Sequence, residues 1–138
     1  MKKFATFVSA ASLVLASSLV SSCSRDDLCL PAPLAVSSPG VEAGSTLTVS
    51  APPATCDLGY AAGKTYILDL IPENQNPGMQ DLKAQYVRVN ADGSFSADIM
   101  VPVALPPGDA TVLVAGSPLD DCGTSGSCAA YSIAFKIE

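Results

Sequence analysis

The residues of this chain whose number and spacing constrain their chemistry most are its five cysteines. Each disulfide takes two thiols, so an odd count in an exported protein leaves one thiol that is free, bonded to another chain or chemically modified. The five residues are Cys23, Cys29, Cys56, Cys122 and Cys128. Cys23 differs from the others because it directly follows a long stretch of uncharged residues.

The N-terminal segment has the composition of an export signal. Lys2 and Lys3 provide a short positive region, and residues 4–20 then contain no charged side chain. This stretch of 17 residues is shorter than the roughly 20 that a membrane-spanning helix needs, and several serines dilute it. The sequence therefore predicts a cleaved signal peptide over residues 1–22 and disfavours a permanent transmembrane anchor.

Residues 20–23, Val-Ser-Ser-Cys, resemble the bacterial lipobox, with valine in place of the usual leucine at its first position. In lipoproteins the cysteine of this motif receives a diacylglyceryl group and becomes the mature N-terminus. The resemblance implies that Cys23 is lipidated, by acyl chains such as palmitate, and anchors the protein at the extracytoplasmic face of a bacterial cell membrane. The alternative is an ordinary cleaved signal followed by a spare cysteine.

The other four cysteines would lie outside the cytoplasm, where disulfides form readily. Four cysteines allow three connectivities, and the sequence does not choose among them. Proximity favours a bond between Cys122 and Cys128 across a polar Gly/Ser loop, which leaves Cys29 to pair with Cys56. The competing interpretation, a metal site of four thiolates, lacks the Cys-x2-Cys pair typical of structural zinc sites. We therefore expect two disulfides and no metal.

The composition excludes several classes of function. The chain contains no histidine, so the commonest general base and the usual partner of a catalytic serine or cysteine are missing. Cleavage after residue 22 removes Lys2 and Lys3 from the 7 basic residues but none of the 13 acidic ones, which leaves a net charge of −8. Such a surface repels nucleic-acid phosphates. We expect no enzymatic activity, no cofactor and no nucleic-acid partner.

Few acidic side chains are placed where they could form a catalytic pair or a metal site. The adjacent pairs Asp26-Asp27 and Asp120-Asp121 point to opposite sides of an extended chain, so we interpret them as solvated loop charge. Calcium ligands could come from Asn90 and Asp92 together with one of the second pair. A β-turn explains Asn90 and Asp92 without any metal.

The elements that would position these residues are predicted to be β-strands. Short runs of alternating apolar residues are separated by Gly, Pro and Asn, a pattern typical of an all-β sandwich. We predict a tether over residues 23–32 and a single antiparallel sandwich of about seven strands over residues 33–138. Residues 90–93, Asn-Ala-Asp-Gly, predict a β-hairpin in which Gly93 has positive φ. The predicted strands cover residues 34–38, 46–50, 65–71, 85–89, 94–101, 110–114 and 131–137.

Three segments resemble bacterial immunoglobulin-like domains of cell-envelope lipoproteins: VSSPGVEAGSTLTVS, GYAAGKTYILDL and ADGSFSADIMVPVALPPGDATVLVAGS. The resemblance implies an immunoglobulin-like antiparallel β-sandwich and says little about function, because such folds serve many roles. The segment CGTSGSC before the last strand is similar to a disulfide loop of the neocarzinostatin-like apoproteins. Those proteins hold a small apolar chromophore in a cleft.

The sequence favours a non-enzymatic structural or protein-interaction module, anchored to the membrane by lipid. Its partner would be an unidentified envelope protein or ligand, met by the long connection of residues 72–84 with Met79 and Leu82. Tyr60 is a further candidate for surface contact, whereas Tyr66 and Tyr131 are expected in the core. The alternative function is a carrier that holds a small apolar ligand in a cleft of the sandwich.

Overall fold

The computed structural model describes residues 29–74, 82–120 and 130–138, and their regular structure is β-strand apart from one short 3₁₀ helix, Pro118–Asp120. Cys23, Met79, Cys122 and Cys128 lie outside the described residues. No helix in the described part of the chain is long and apolar enough to span a bilayer. The strands are β1 Ala35–Val36, β2 Gly40–Val41, β3 Thr46–Ala51, β4 Thr65–Pro72, β5 Gln85–Arg88, β6 Phe95–Met100, β7 Gly108–Ala115 and β8 Ser132–Ile137.

Two sheets pack face to face and confirm the predicted all-β sandwich. One has three strands in the order β1-β3-β6, and the other has five in the order β2-β8-β7-β4-β5. The alternation read from the sequence decides which side chains lie between them: in β6, Phe95, Ala97 and Ile99 are buried while the residues between them are exposed. The other predicted inward rows also reach the core, which includes Leu47, Val49, Tyr66, Leu68, Ala110, Val112, Val114, Tyr131, Phe135 and Ile137.

The predicted first strand, residues 34–38, contains β1, and a second short strand in the other sheet follows it. β1 pairs with β3, and after Pro39 the chain crosses over so that β2 runs parallel to β8. Pro39 has no N–H to continue the first ladder, but its carbonyl accepts a hydrogen bond from the N–H of Lys136 in the second sheet. The predicted strand is thus present but shorter, β2 is an additional strand that the sequence did not predict, and the described residues contain eight strands with one parallel pair.

The predicted hairpin at residues 90–93 forms its turn but not its strand pair. Gly93 has a φ of 82°, and its N–H donates to the carbonyl of Asn90 at 2.9 Å. The flanking strands then separate, because β5 pairs with β4 while β6 pairs along its whole length with β3. The hairpin prediction was wrong because local turn chemistry does not determine which sheet each flanking strand joins.

The strand registers define two ends of the sandwich. The connections at residues 29–34, 52–64, 89–94 and 116–120 lie at one end, which we call the tether end. The connections at residues 42–45 and 101–107, with residues 82–84, lie at the opposite end, which we call the far end. The eight residues of β4 separate the two ends by about 25 Å.

Two contacts attach residues 29–34 to the tether end. Cys29 and Cys56 form a disulfide with a Cα–Cα distance of 5.7 Å, which confirms that predicted pair. On the chain-entropy model a loop of this length contributes about 3.6 kcal/mol to stability. In addition, the hydroxyl of Tyr131 donates a hydrogen bond of 2.7 Å to the carbonyl of Ala32. Residues 29–34 are thus held against one end of the sandwich.

Candidate functional site

An apolar cleft of about 590 Å³ opens between the two sheets at the far end. Its volume lies within the roughly 300–1,000 Å³ typical of small-molecule sites. Strand β4, the end of β6, the turn after β6 and the segment before β5 contribute its walls. The described residues that line it are Gly44, Leu68, Leu70, Leu82, Lys83, Gln85, Ile99, Met100, Val101, Pro102, Val103 and Ala104.

The divergence of β5 and β6 creates this opening. The two strands are joined at the tether end by the turn of residues 90–93, and they separate toward the far end. Strand β5 pairs only with Thr65–Leu68 of β4, so Leu70 is not covered by a neighbouring strand on that side. Gln85, where β5 begins, and Met100, where β6 ends, therefore stand on opposite sides of a gap that exposes part of the interior.

The cleft has a buried floor and an exposed apolar rim. Leu68, Ile99 and Val101 form the floor and are almost inaccessible to solvent. On the rim, Met100 is 69% exposed and Val103 is 81% exposed, which is unusual for large apolar side chains. The apolar surface that a ligand in the cleft can reach therefore comes from the rim and from the half-buried Leu70 and Leu82, which the buried floor supports from beneath.

Gly44 allows the rim to close around the floor. Its N–H donates to the carbonyl of Val101 at 2.8 Å, and its φ is +86°, in the left-handed region that favours glycine. A Cβ at this position would come within 2.7 Å of Cγ1 of Val103. A larger residue at position 44 would therefore displace Val103 and change the shape of the entrance.

Among the described lining residues, two have polar side chains with strong hydrogen-bonding capacity. They are Lys83, which is exposed, and Gln85, which is half-buried. Among the described lining residues Lys83 is the only one with a charge, and it forms no ion pair with another described residue. The arrangement can hold an apolar molecule and offer hydrogen-bond donors at one side of the entrance.

The structure separates the predicted interaction residues. Leu82 lines the cleft and packs against the core, whereas Tyr60 lies at the tether end, about the length of the sandwich away. The sequence interpretation missed Met100 and Val103. Val103 continues the alternation of Ile99 and Val101, but the turn in which the N–H of Leu105 donates to the carbonyl of Pro102 moves it to the surface. Periodicity alone could not reveal that change of direction.

Tyr60 belongs to an aromatic cluster with Tyr66, Tyr131 and Phe95. Its hydroxyl lies 2.5 Å from that of Tyr66, and the ring of Tyr66 makes edge-to-face contacts with the other three. Tyr66 and Tyr131 are buried, which confirms the expectation that both belong to the core. Tyr60 is half-buried and completes the cluster rather than standing free at the surface.

Burial of these phenols predicts loss of stability in alkali. Desolvation raises the pKa of Tyr66 and raises that of Tyr131 to about 12, above the ordinary value near 10. The folded state therefore holds protons that the unfolded chain releases, so the stabilisation is complete below about pH 10 and is lost as the pH rises toward 12. Urea unfolding between about pH 9 and about pH 12 should show the free energy falling over this window.

The variant Tyr131→Phe tests the origin of this fall. It removes one titrating phenol, so its unfolding free energy should decline less steeply, by up to about 1.4 kcal/mol per pH unit. Tyr86→Phe is the matched control because Tyr86 is 71% exposed, and its slope should equal that of the wild type. Equal slopes for all three proteins would contradict the assignment to Tyr131.

The residues considered for calcium binding instead stabilise a turn. The amide of Asn90 donates to the hydroxyl of Ser94, and the N–H of Ser94 donates to Oδ1 of Asp92. The hydroxyl and backbone of Ser94 lower the pKa of Asp92 through these bonds. Within the described ranges, no group of three or more His, Cys, Asp or Glu side chains could hold a metal ion.

Comparison with known proteins gives no relative from which a role could be transferred. No protein-family model matches the chain, and no curated protein is significantly similar to it.

Proposed function

We propose that this chain is a membrane-anchored extracytoplasmic binding module without enzymatic activity, and that it holds a small apolar ligand in the far-end cleft. The observation that supports the proposal is the cleft itself, with its buried floor of Leu68, Ile99 and Val101 and its exposed rim of Met100 and Val103. An opening of about 590 Å³ has the size of a small-molecule site, whereas a partner protein docks over a broader surface.

The proposed anchor would orient this cleft away from the membrane. Five residues separate Cys23 from Cys29, and a chain of that length reaches at most about 20 Å in any conformation. The Cys29–Cys56 disulfide holds the end of this connection at the tether end. With Cys23 lipidated, the tether end would face the bilayer, and the cleft would open toward the envelope or the medium. Such a cleft would take its ligand from the aqueous side.

The second candidate function is the display of a surface for a partner protein. It is favoured by one observation, the exposure of Met100 and Val103 in the same cleft lining as Leu82, one of the predicted contact residues. A protein partner could cover this apolar rim without entering the cleft. The two functions differ in whether a small molecule binds inside the cleft.

Filling the cleft should abolish binding of a neutral apolar probe. The fluorescent amine N-phenyl-1-naphthylamine should bind saturably, at one site per chain, to full-length Cys23→Ser protein secreted without lipid. Ala104→Trp places an indole at the exposed edge of the cleft and should weaken probe binding about tenfold or more, which corresponds to at least about 1.4 kcal/mol. Fluorescence titration measures both affinities.

Ala62→Trp is the matched control, because Ala62 is an exposed alanine in a loop at the tether end. Its probe affinity should equal that of the parent protein. The chain contains no tryptophan, so each variant adds the same single indole. Absence of saturable binding, or equal weakening by the two tryptophans, would contradict the proposed site. Retention of an envelope protein by Ala104→Trp, without any probe binding to the parent, would favour the second function.

A further inference from the structure

We infer that the cleft takes a single-chain amphiphile with an anionic head, of the class of long-chain carboxylates, with its chain along the accessible apolar wall of Leu70, Leu82 and Val103 and its head beside Lys83. This inference rests on the proposed function and specifies its ligand. Leu68, Ile99 and Val101 give the floor no polar group that could bind a head inside the cleft. The polar part of a ligand must therefore remain at the entrance.

The positive charge of Lys83 favours a ligand whose head group is negatively charged. It is the only charged residue among the described lining residues. A cationic head would meet Lys83 at close range and be repelled, and a neutral head would gain no charge-assisted hydrogen bond from the ammonium. A carboxylate can accept a hydrogen bond from the ammonium and another from the amide of the half-buried Gln85.

Comparison with two other lysines of the sandwich distinguishes Lys83. Lys64 lies 5.3 Å from the centre of the Tyr60 ring, and Lys136 is 3.9 Å from a carboxylate oxygen of Asp109. Lys83 has neither kind of partner among the described residues. The full chain has a net charge of −6, so attraction of an anion must come from a local group and not from the field of the whole protein.

Competition between two amphiphiles of equal chain length tests the inference. Dodecanoate and dodecan-1-ol would each displace N-phenyl-1-naphthylamine from secreted Cys23→Ser protein at neutral pH and low salt. Dodecanoate should bind more tightly. Lys83→Gln should weaken dodecanoate about twofold to fivefold relative to dodecan-1-ol and the probe, the range expected of an exposed ion pair. Lys64→Gln removes the same charge at the tether end and should change none of the three affinities.

The possible results separate this inference from the proposed function. Equal affinity for dodecanoate and dodecan-1-ol in the parent protein, or equal effects of the two lysine substitutions, would overturn the anionic head while probe binding still supported the apolar cleft. Failure of the probe and of both amphiphiles to bind would overturn both. High salt should weaken dodecanoate alone, and an equal loss for dodecan-1-ol would count against Lys83 as the partner.

Discussion

Replacing Cys23 with serine should remove the acyl mass from the protein and transfer it from the membrane to the soluble fraction. Each methylene buried in a bilayer contributes about 0.8 kcal/mol, and two or more acyl chains together give stable attachment. The acidic mature chain has no electrostatic attraction to anionic lipids that could replace them. Intact mass spectrometry and detergent phase partitioning measure the two effects, which should be close to all or none.

Cys29→Ser is the matched control for this prediction. It makes the same substitution six positions later, removes the disulfide to Cys56 and should leave the acyl mass in place. The mass also reveals whether residues 1–22 have been cleaved, so an unprocessed signal peptide is distinguished from a lipid. A wild-type protein without acyl mass, or a Cys23→Ser protein that keeps it, would refute the anchor and with it the proposed orientation of the cleft.

Replacing Tyr66 with alanine should cost about 4 kcal/mol of stability, the range expected for loss of a large buried aromatic side chain. Tyr66 is completely buried and contacts the rings of Tyr60, Phe95 and Tyr131, so its removal leaves a cavity where the two sheets meet. The hydroxyl of Tyr60 would also lose its partner. Urea unfolding of the oxidised protein measures the change through the midpoint and slope of the transition.

Two further variants separate the causes. Tyr66→Phe keeps the ring and should cost about 1 kcal/mol, the contribution of one hydrogen bond. Tyr86→Ala removes the same side chain from a site that is 71% exposed and should change stability by less than about 0.5 kcal/mol. If Tyr66→Ala costs no more than Tyr86→Ala, the cluster does not hold the sheets together. Tyr66→Phe still tests the hydroxyl pair if the alanine variant does not fold.

The cleft and the tyrosine cluster lie toward opposite ends of the sandwich. The cluster, the disulfide and the bond from Tyr131 to Ala32 lie toward the tether end, where they join residues 29–34 to the core. At the far end the short β5 leaves Leu70 without a covering strand, and the interior opens. Cross-links at one end keep the sheets together while the other end remains accessible, an arrangement that suits a rigid binding module.

Several features of this protein follow from its sequence alone. The alternation in residues 46–50, 65–71 and 94–101 predicted β-strands and the faces they bury, because side chains of a strand point to opposite sides in turn. The count and spacing of cysteines suggested the bond between Cys29 and Cys56 that the structure contains. Gly93 was predicted to have positive φ, which depends only on the local geometry of a turn.

The tertiary structure decided how these strands are arranged and where a cleft opens. Pro39 ends one ladder, and the parallel pairing of β2 with β8 depends on a strand almost a hundred residues away. Likewise, β5 and β6 leave a turn typical of hairpins and join different sheets, because β5 pairs with the preceding strand β4 while β6 finds its partner in β3, almost fifty residues away. Periodicity specifies which face of a strand is buried, but pairing over long sequence separations specifies its neighbour. The site bounded by Gln85, Met100 and Val103 arises from that second choice.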